Sequence, residues 1–492
     1  MEKRQLRWIS GLLSVLLVFL LALPSFAAQE TDEALTAAAQ TQEEPPTESE
    51  AEPTTEPSTE PATEPAHKHT FGAWTLTRRA TNKKNGQLRR TCSVCGEAQT
   101  KAIPRIAGAK LNRTEKTYSG KPLTTGVTVT DQAGKKLREG RDYKLQFRNN
   151  KNVGVAEVVI TGIGNYKCRV TRSFRILPRS TKFTKALASV TKVILRWKPV
   201  ETQADGYQIQ YGPDATFKTG AKTLTVKGAS TAYQVLSGLR QNAVCAVRIR
   251  TLRTVNGRTF ASGWSPAKTL TTMTAGAHTI DGQLPKSARV KSAYFDDAVF
   301  VGDSISEGLK FYEAANDKLG KAQFLTAVSL SATNALWNVS DRSKHPRLNG
   351  QKMKLEQSVP LTGAKKVYIM LGMNDITSVG VDRSAANFET LCGKILAAAP
   401  NAQLYVQSVT PRANVQAADI GVLNNASITR YNQKLAALCL KHGWYFVNVA
   451  EDLFDSSGYL KTAYCSDPNG MGMHFTFSGC AAWVDYLYTH TA

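Results

Sequence analysis

After the apolar run Ile9–Leu23, the chain has no second stretch that could cross a bilayer, which needs ~20 apolar residues. A second membrane-spanning helix is therefore not expected. Cysteine is sparse, with eight in 492 residues, too few for a disulfide-built scaffold. They are Cys92, Cys95, Cys168, Cys245, Cys392, Cys439, Cys465 and Cys480, and only Cys92-x-x-Cys95 has informative local spacing. Cys465 and Cys480 bracket His474 and are far enough along the chain to bridge or stay free. Basic residues are missing altogether from 29–66, where eleven acids lie. The formal charge of +23 thus understates how basic the remainder is.

What is present begins with an export pattern. Met1–Arg7 carry positive charge, the apolar run follows, and Pro24-Ser25-Phe26-Ala27 offers small residues at cleavage offsets. Residues 1–28 are predicted to be a secretory signal peptide, an uncleaved anchor being the alternative. Residues 29–66, built on repeated Thr-Glu-Pro, cannot bury enough apolar surface to offset their ordering entropy and read as an extended spacer. The expected location is secreted and extracellular, with no membrane span after cleavage. Cell-wall association would be non-covalent, because no C-terminal sorting motif is visible. A basic surface outside the cell suits an anionic wall polymer, and export argues against nucleic acid.

Three modules follow. Residues 67–103 carry His67-Lys-His69, Phe71, Trp74 and Cys92-Ser-Val-Cys95-Gly96. His67, His69, Cys92 and Cys95 are four donors of the type that holds a structural zinc, a local disulfide or free thiols being the alternative. The segment resembles small His/Cys knuckles of Gram-positive surface proteins, except that a cysteine expected near Asn82 is absent. Residues 104–178 alternate polar and apolar positions, as in Asp142-Tyr143-Lys-Leu-Gln-Phe147, between Asn149-Asn150 and Gly162-Ile-Gly164-Asn165-Tyr166 turns. They resemble an immunoglobulin-like surface repeat. Residues 179–274, with Val193-Ile-Leu-Arg-Trp197 and Gly206-Tyr207-Gln-Ile-Gln-Tyr211, are similar to a fibronectin type III domain, their aromatics assigned to core. A Gly/Pro-containing linker, 275–290, leads on.

From 291 to 492 strands and helices alternate, which predicts a parallel sheet with helices on both faces. Predicted strands are Ala298–Gly302, Phe324–Val328, Lys366–Leu371, Gln403–Val409 and Trp444–Val449; helices include 385–399, 428–442 and 477–488. The fold class is thus multidomain: two all-β sandwich modules, then a three-layer α/β domain of flavodoxin-like type. Two strands end in polar clusters. Val299-Phe-Val-Gly302-Asp303-Ser304 puts a hydroxyl at a strand's carboxyl end beside a helix N-terminus, where developing negative charge is stabilised. Val367-Tyr-Ile-Met-Leu371 ends in Gly372-Met-Asn374-Asp375, and an asparagine amide is a neutral donor suited to an oxyanion. Gly470-Met-Gly472-Met-His474-Phe475 places a histidine just before the last helix. Singly, these could be a helix cap, a strand-end turn and a solvated loop.

Taken in order, Gly302-Asp303-Ser304, Gly372-x-Asn374-Asp375 and His474 resemble the SGNH or GDSL hydrolase superfamily across roughly 295–490. The lipase elbow Gly-x-Ser-x-Gly is not seen around Ser304, which argues against an ordinary α/β-hydrolase. The resemblance implies an ester hydrolase without catalytic cofactor, with Ser304 as nucleophile and His474 as base. Its oxyanion hole would comprise the N–H of Ser304, a second backbone N–H and the Asn374 amide. Gly302, Asp303, Gly372 and Asp375 would support the loops. Two departures follow. Ala327-Val-Ser-Leu-Ser331-Ala-Thr333 lacks the glycine that normally gives the second N–H, so Ser331 is the expected substitute. Met471 stands where the family's aspartate usually lies, three residues before the histidine. Asp467 is the nearest upstream acid, and a Ser–His dyad is the alternative. The expected substrate is an O-acetylated glycan; alternatives are a lipid or short-chain acyl ester, and a non-catalytic wall-binding protein.

Overall fold

The computed structural model describes residues 67–415 and 422–492. The expected signal peptide and Thr-Glu-Pro spacer lie outside the described residues. Among the described residues, no helix is long and apolar enough to cross a membrane.

The first half is built from β-strands. Residues 75–103 form a three-stranded antiparallel sheet, Thr75–Arg78, Gly86–Thr91 and Ala98–Ile103. In the next module Ile106–Leu111 pairs with Val127–Asp131, and Glu115–Thr117, Arg169–Leu177, Gly154–Gly162 and Tyr143–Arg148 form a four-stranded sheet. Ala80 and Ile103 join Ile106, Tyr143 and Tyr166 in one core, so the small sheet leans on its neighbour. In residues 179–274 a three-stranded and a five-stranded sheet enclose Trp197, Tyr207, Val247 and Ile249. Trp197 meets Tyr207 edge-on at 5.2 Å, the geometry that aromatic quadrupoles favour.

The C-terminal α/β domain is built on a five-stranded sheet. Its strands are β1 (Ala298–Gly302), β2 (Gln323–Thr326), β3 (Lys366–Met370), β4 (Gln403–Gln407) and β5 (Tyr445–Val447). All pair in parallel, in the order β2-β1-β3-β4-β5. The helices are α1 (Ser304–Asn316), α2 (Ala332–Ala335), α3 (Leu355–Leu361), α4 (Met373–Ala398), α5 (Asn425–His442) and α6 (Phe477–Thr489). In such a sheet the chain leaves β1 and β3 towards opposite sides, opening a crevice beyond their carboxyl ends. The strands are buried on both faces and therefore read as continuous apolar runs. One face carries an in-register aromatic row, Phe324, Phe300, Tyr368, Tyr405 and Tyr445, with ring centroids 5.3, 4.9, 4.6 and 5.0 Å apart.

Within residues 275–290, whose composition reads as a linker, Gly282–Leu284 are buried while 275–277 stay exposed. Gln283 and Leu284 are buried, and Leu284 N–H donates to the Phe446 carbonyl at 2.9 Å, extending the sheet beside β5. Gln283 also donates to Glu451 and accepts from Asn448. Helix α4 begins at Met373, earlier than the periodicity from 385 suggests, because a left-handed Gly380 (φ 73°) joins two helical stretches across a kink.

Candidate active site

Ser304 opens α1 directly after β1. Asp303 caps that helix, its carboxylate accepting the Ile305 N–H at 3.0 Å. Gly302 is required by close approach, because a Cβ there would overlap the Ser306 side chain. Across the crevice, Gly372 turns the chain from β3 into α4 with φ 155°, and a Cβ would overlap the Tyr431 ring. That corner puts Asn374 and Asp375 in the first turn of α4. His474 precedes α6, which Thr476 caps.

These distant segments converge. Ser304 Oγ lies 3.1 Å from His474 Nε2, and His474 Nδ1 lies 2.8 Å from Asp467 Oδ2. Asp467 reaches across seven residues because its loop closes around it. Its carbonyl accepts the N–H groups of Gly470 and Gly472 at 2.9 and 3.1 Å. Its Oδ1 accepts those of Met473 and His474 at 2.9 and 3.0 Å. Burial raises the Asp467 pKa, but bonds from the His474 side chain and backbone outweigh it, leaving the carboxyl below its ordinary value. An ionised carboxylate there fixes the imidazole with Nε2 facing the hydroxyl, so the arrangement can remove a proton from Ser304.

The surrounding carboxylates brace loops. Asp303 Oδ2 accepts from Asn374 at 3.0 Å, and complete burial pushes Asp303 up to about 6. Asp375, also raised by burial, accepts the N–H groups of Ala332 and Thr333 at 2.8 and 2.9 Å. It thereby ties the first turn of α2 to the start of α4.

The family model for GDSL-like lipases and acylhydrolases matches residues 300–482. Those residues form a GDSL-like lipase/acylhydrolase domain. A GDSL-like lipase structure from Bacteroides thetaiotaomicron is 18% identical, covering 39% of this chain and 84% of that chain with TM-score 0.31. A carbohydrate esterase family 3 structure from Talaromyces cellulolyticus is 14% identical, covering 39% and 94% with TM-score 0.27. The fibronectin type III domain of human contactin 1 is 16% identical, covering 20% and 80% with TM-score 0.17. No curated protein matches the chain.

Two features of the GDSL-like domain differ from the sequence expectation. Ser331 caps α2, and its backbone N–H donates to Asn334 Oδ1 at 2.9 Å, so that N–H is turned away from the oxyanion role expected of it. The left-handed residue of this loop is Ser329, with φ 58°, the conformation for which glycine is the usual residue. Asn374, expected as an amide donor, spends its Nδ2 hydrogens on Asp303 and on the Leu330 carbonyl at 3.1 Å. A bound oxyanion would have to replace one of these acceptors.

Arg412 escaped the sequence reading. It is 2% exposed, and its Nε and Nη2 donate to the Met471 carbonyl at 2.9 and 2.8 Å while Nη1 donates to the Leu423 carbonyl. It fastens the histidine loop to the approach of α5. The available signal was a basic residue just past the end of β4, in Pro411-Arg412-Ala413. His67, His69, Cys92 and Cys95 belong to the first module and take no part in this site.

Proposed function

We propose that the protein is an exported serine esterase acting through an acyl-enzyme, with O-acetyl groups on a glycan as its substrate class. The observation that carries the esterase reading is the continuous chain Ser304 Oγ, His474, Asp467 at 3.1 and 2.8 Å. His474 takes the hydroxyl proton as Oγ attacks the ester carbonyl, and Asp467 stabilises the imidazolium. His474 then protonates the leaving alcohol, and a water it activates releases the acid. The Ser304 N–H lies in the first turn of α1, where backbone donors have no intrahelical partner. It joins the Asn374 amide and the backbone at Ser329 in holding the oxyanion. No organic cofactor or metal enters these steps.

The glycan assignment rests on the export pattern, the basic charge of +23 and the β modules ahead of the hydrolase domain. The full chain is expected to hydrolyse p-nitrophenyl acetate, and Ser304→Ala to lower kcat at least ~10³-fold, since removing such a nucleophile leaves only binding and oxyanion contributions. Undiminished turnover in that variant would remove Ser304 from the mechanism. Acetate release from a panel of acetylated glycans, compared with long-chain acyl esters, decides the substrate. Preference for long chains would replace the glycan reading by a lipid one. Failure on every ester would leave a binding protein.

A further inference from the structure

The small sheet of residues 75–103 has almost no interior of its own. In 67–103 only Ala80, Gly86, Cys92 and Ile103 are buried, and Ala80 and Ile103 face the neighbouring module's core. All four residues of Thr75–Arg78 are exposed. At the far end, Cys92 is the lone buried side chain. Yet the backbone there is sharply organised: Cys92 N–H donates to Glu97 O at 2.8 Å, Gly96 N–H to Cys92 O at 3.0 Å, and Ser93 N–H to Thr70 O at 3.0 Å. A turn this well defined, with Cys92 as its one buried side chain, points to a further source of stability. Small domains commonly use a disulfide or a metal.

We propose that His67, His69, Cys92 and Cys95 bind a structural zinc ion. Their donor atoms all lie within 4.8 Å of one another. A tetrahedral zinc with bonds of about 2.0–2.3 Å sets its ligand atoms about 3.3–3.8 Å apart, so closure requires shifts of about 1 Å. His69 Nδ1 already lies 3.4 Å from Cys95 Sγ. Its other nitrogen, Nε2, lies 3.1 Å from the Glu97 carboxylate. A carboxylate on the remote nitrogen is the second support that orients metal-bound histidines and raises their basicity. The Cys92 and Cys95 sulfurs are free thiols, so both can serve as thiolate ligands. Two thiolates and two imidazoles are a zinc-selecting set, and four protein donors close the coordination sphere, which suits a structural ion. The Arg90 guanidinium, 4.6 Å from the Phe71 and Trp74 ring centroids, covers the neighbouring surface.

The test uses the full chain, purified under reducing conditions without chelator and then dialysed against zinc. Metal analysis is expected to find one zinc per chain, and cobalt(II) exchanged into the site to give the thiolate charge-transfer and visible bands of a tetrahedral centre. Cys95→Ser, at an exposed position, should lose the cobalt thiolate signature in part, and Cys92→Ser combined with Cys95→Ser should lose the metal. Chelation of the wild-type protein should open 67–97 to limited proteolysis while p-nitrophenyl acetate turnover stays unchanged. Absence of zinc after dialysis, a Cys92–Cys95 disulfide in the mass spectrum, or full zinc content in the double variant would each overturn the proposal. The wild-type metal and proteolysis measurements decide it even if the double variant does not fold.

Discussion

Single residues set the chemistry through orientation and charge. Asp467 is the clearest case, because its carboxylate can act only through His474, by holding one tautomer and offsetting the charge the imidazole takes up. Asp467→Asn is expected to reduce kcat about 10²–10⁴-fold with little change in KM. An unchanged rate would show that backbone contacts alone orient the imidazole. Asp303 gives a separate pH signature. Burial raises its folded pKa to about 6, against about 3.9 unfolded. Between those values the folded state binds more protons than the unfolded one, so stability falls as pH rises through pH 4 to 6. The loss attributable to Asp303 is at most roughly 3 kcal/mol. Asp467 works the other way: its depressed folded pKa contributes stability above the ordinary carboxylate range, lost as pH falls below it. Comparing urea denaturation of wild type and Asp303→Asn across pH 4–7 isolates the first effect. The wild type should lose ground to the variant as pH rises, and a pH-independent difference would contradict it.

At the level of elements, the site depends on two strand-to-helix corners. Gly372 has a positive φ, and its Cα hydrogen faces the Tyr431 ring, so any side chain must displace the first turn of α4 or the packing of α5. Gly372→Ala is expected to cost about 1–3 kcal/mol in urea denaturation, through overpacking and backbone strain together. It should also lower esterase kcat, because Asn374 lies two residues on. Full stability and full activity would mean that the corner is more pliable than its geometry implies. The Ser329 corner differs, since a small polar residue stands in the left-handed conformation and Asn334 clamps the loop by donating to the Ser329 carbonyl at 2.8 Å.

Across the whole molecule, the second sandwich is attached to the hydrolase domain by more than its connecting chain. Arg196 lies over the rings of Tyr233 and Tyr445, at 5.2 and 4.7 Å, joining the sandwich to edge strand β5. Tyr233 Oη donates to the Leu440 carbonyl at 3.0 Å, and Gly282 N–H to Ser189 Oγ at 2.7 Å. Asp281 accepts from the Thr191 N–H at 3.1 Å and pairs with Lys192. The sandwich thereby also holds residues 281–282, directly ahead of the Gln283–Leu284 segment that pairs beside β5. Arg196→Ala is expected to destabilise the full chain by about 1–2 kcal/mol. It should also speed amide exchange at Tyr445–Val447. Exchange unaltered at β5 would mean that the contact adds nothing to the strand.

The sequence by itself determined the alternation of elements, the parallel sheet and the positions of Ser304 and Asn374. Those follow from local pattern: a buried parallel strand is an uninterrupted apolar run, and a glycine-led polar cluster must mark its end. It also carried the donor types of the first module in two short segments. Tertiary structure alone decided which groups are free to act. The Asp467 loop closes through backbone bonds to its own carboxylate, the Ser331 N–H is taken by a side chain three residues on, and Arg412 reaches carbonyls in two other segments. Such bonds depend on backbone direction and on distant partners, which residue type and spacing do not encode. The pairing of Gln283 and Leu284 beside β5 was hidden for the same reason, since a short mixed-composition segment becomes ordered only by what lies beside it.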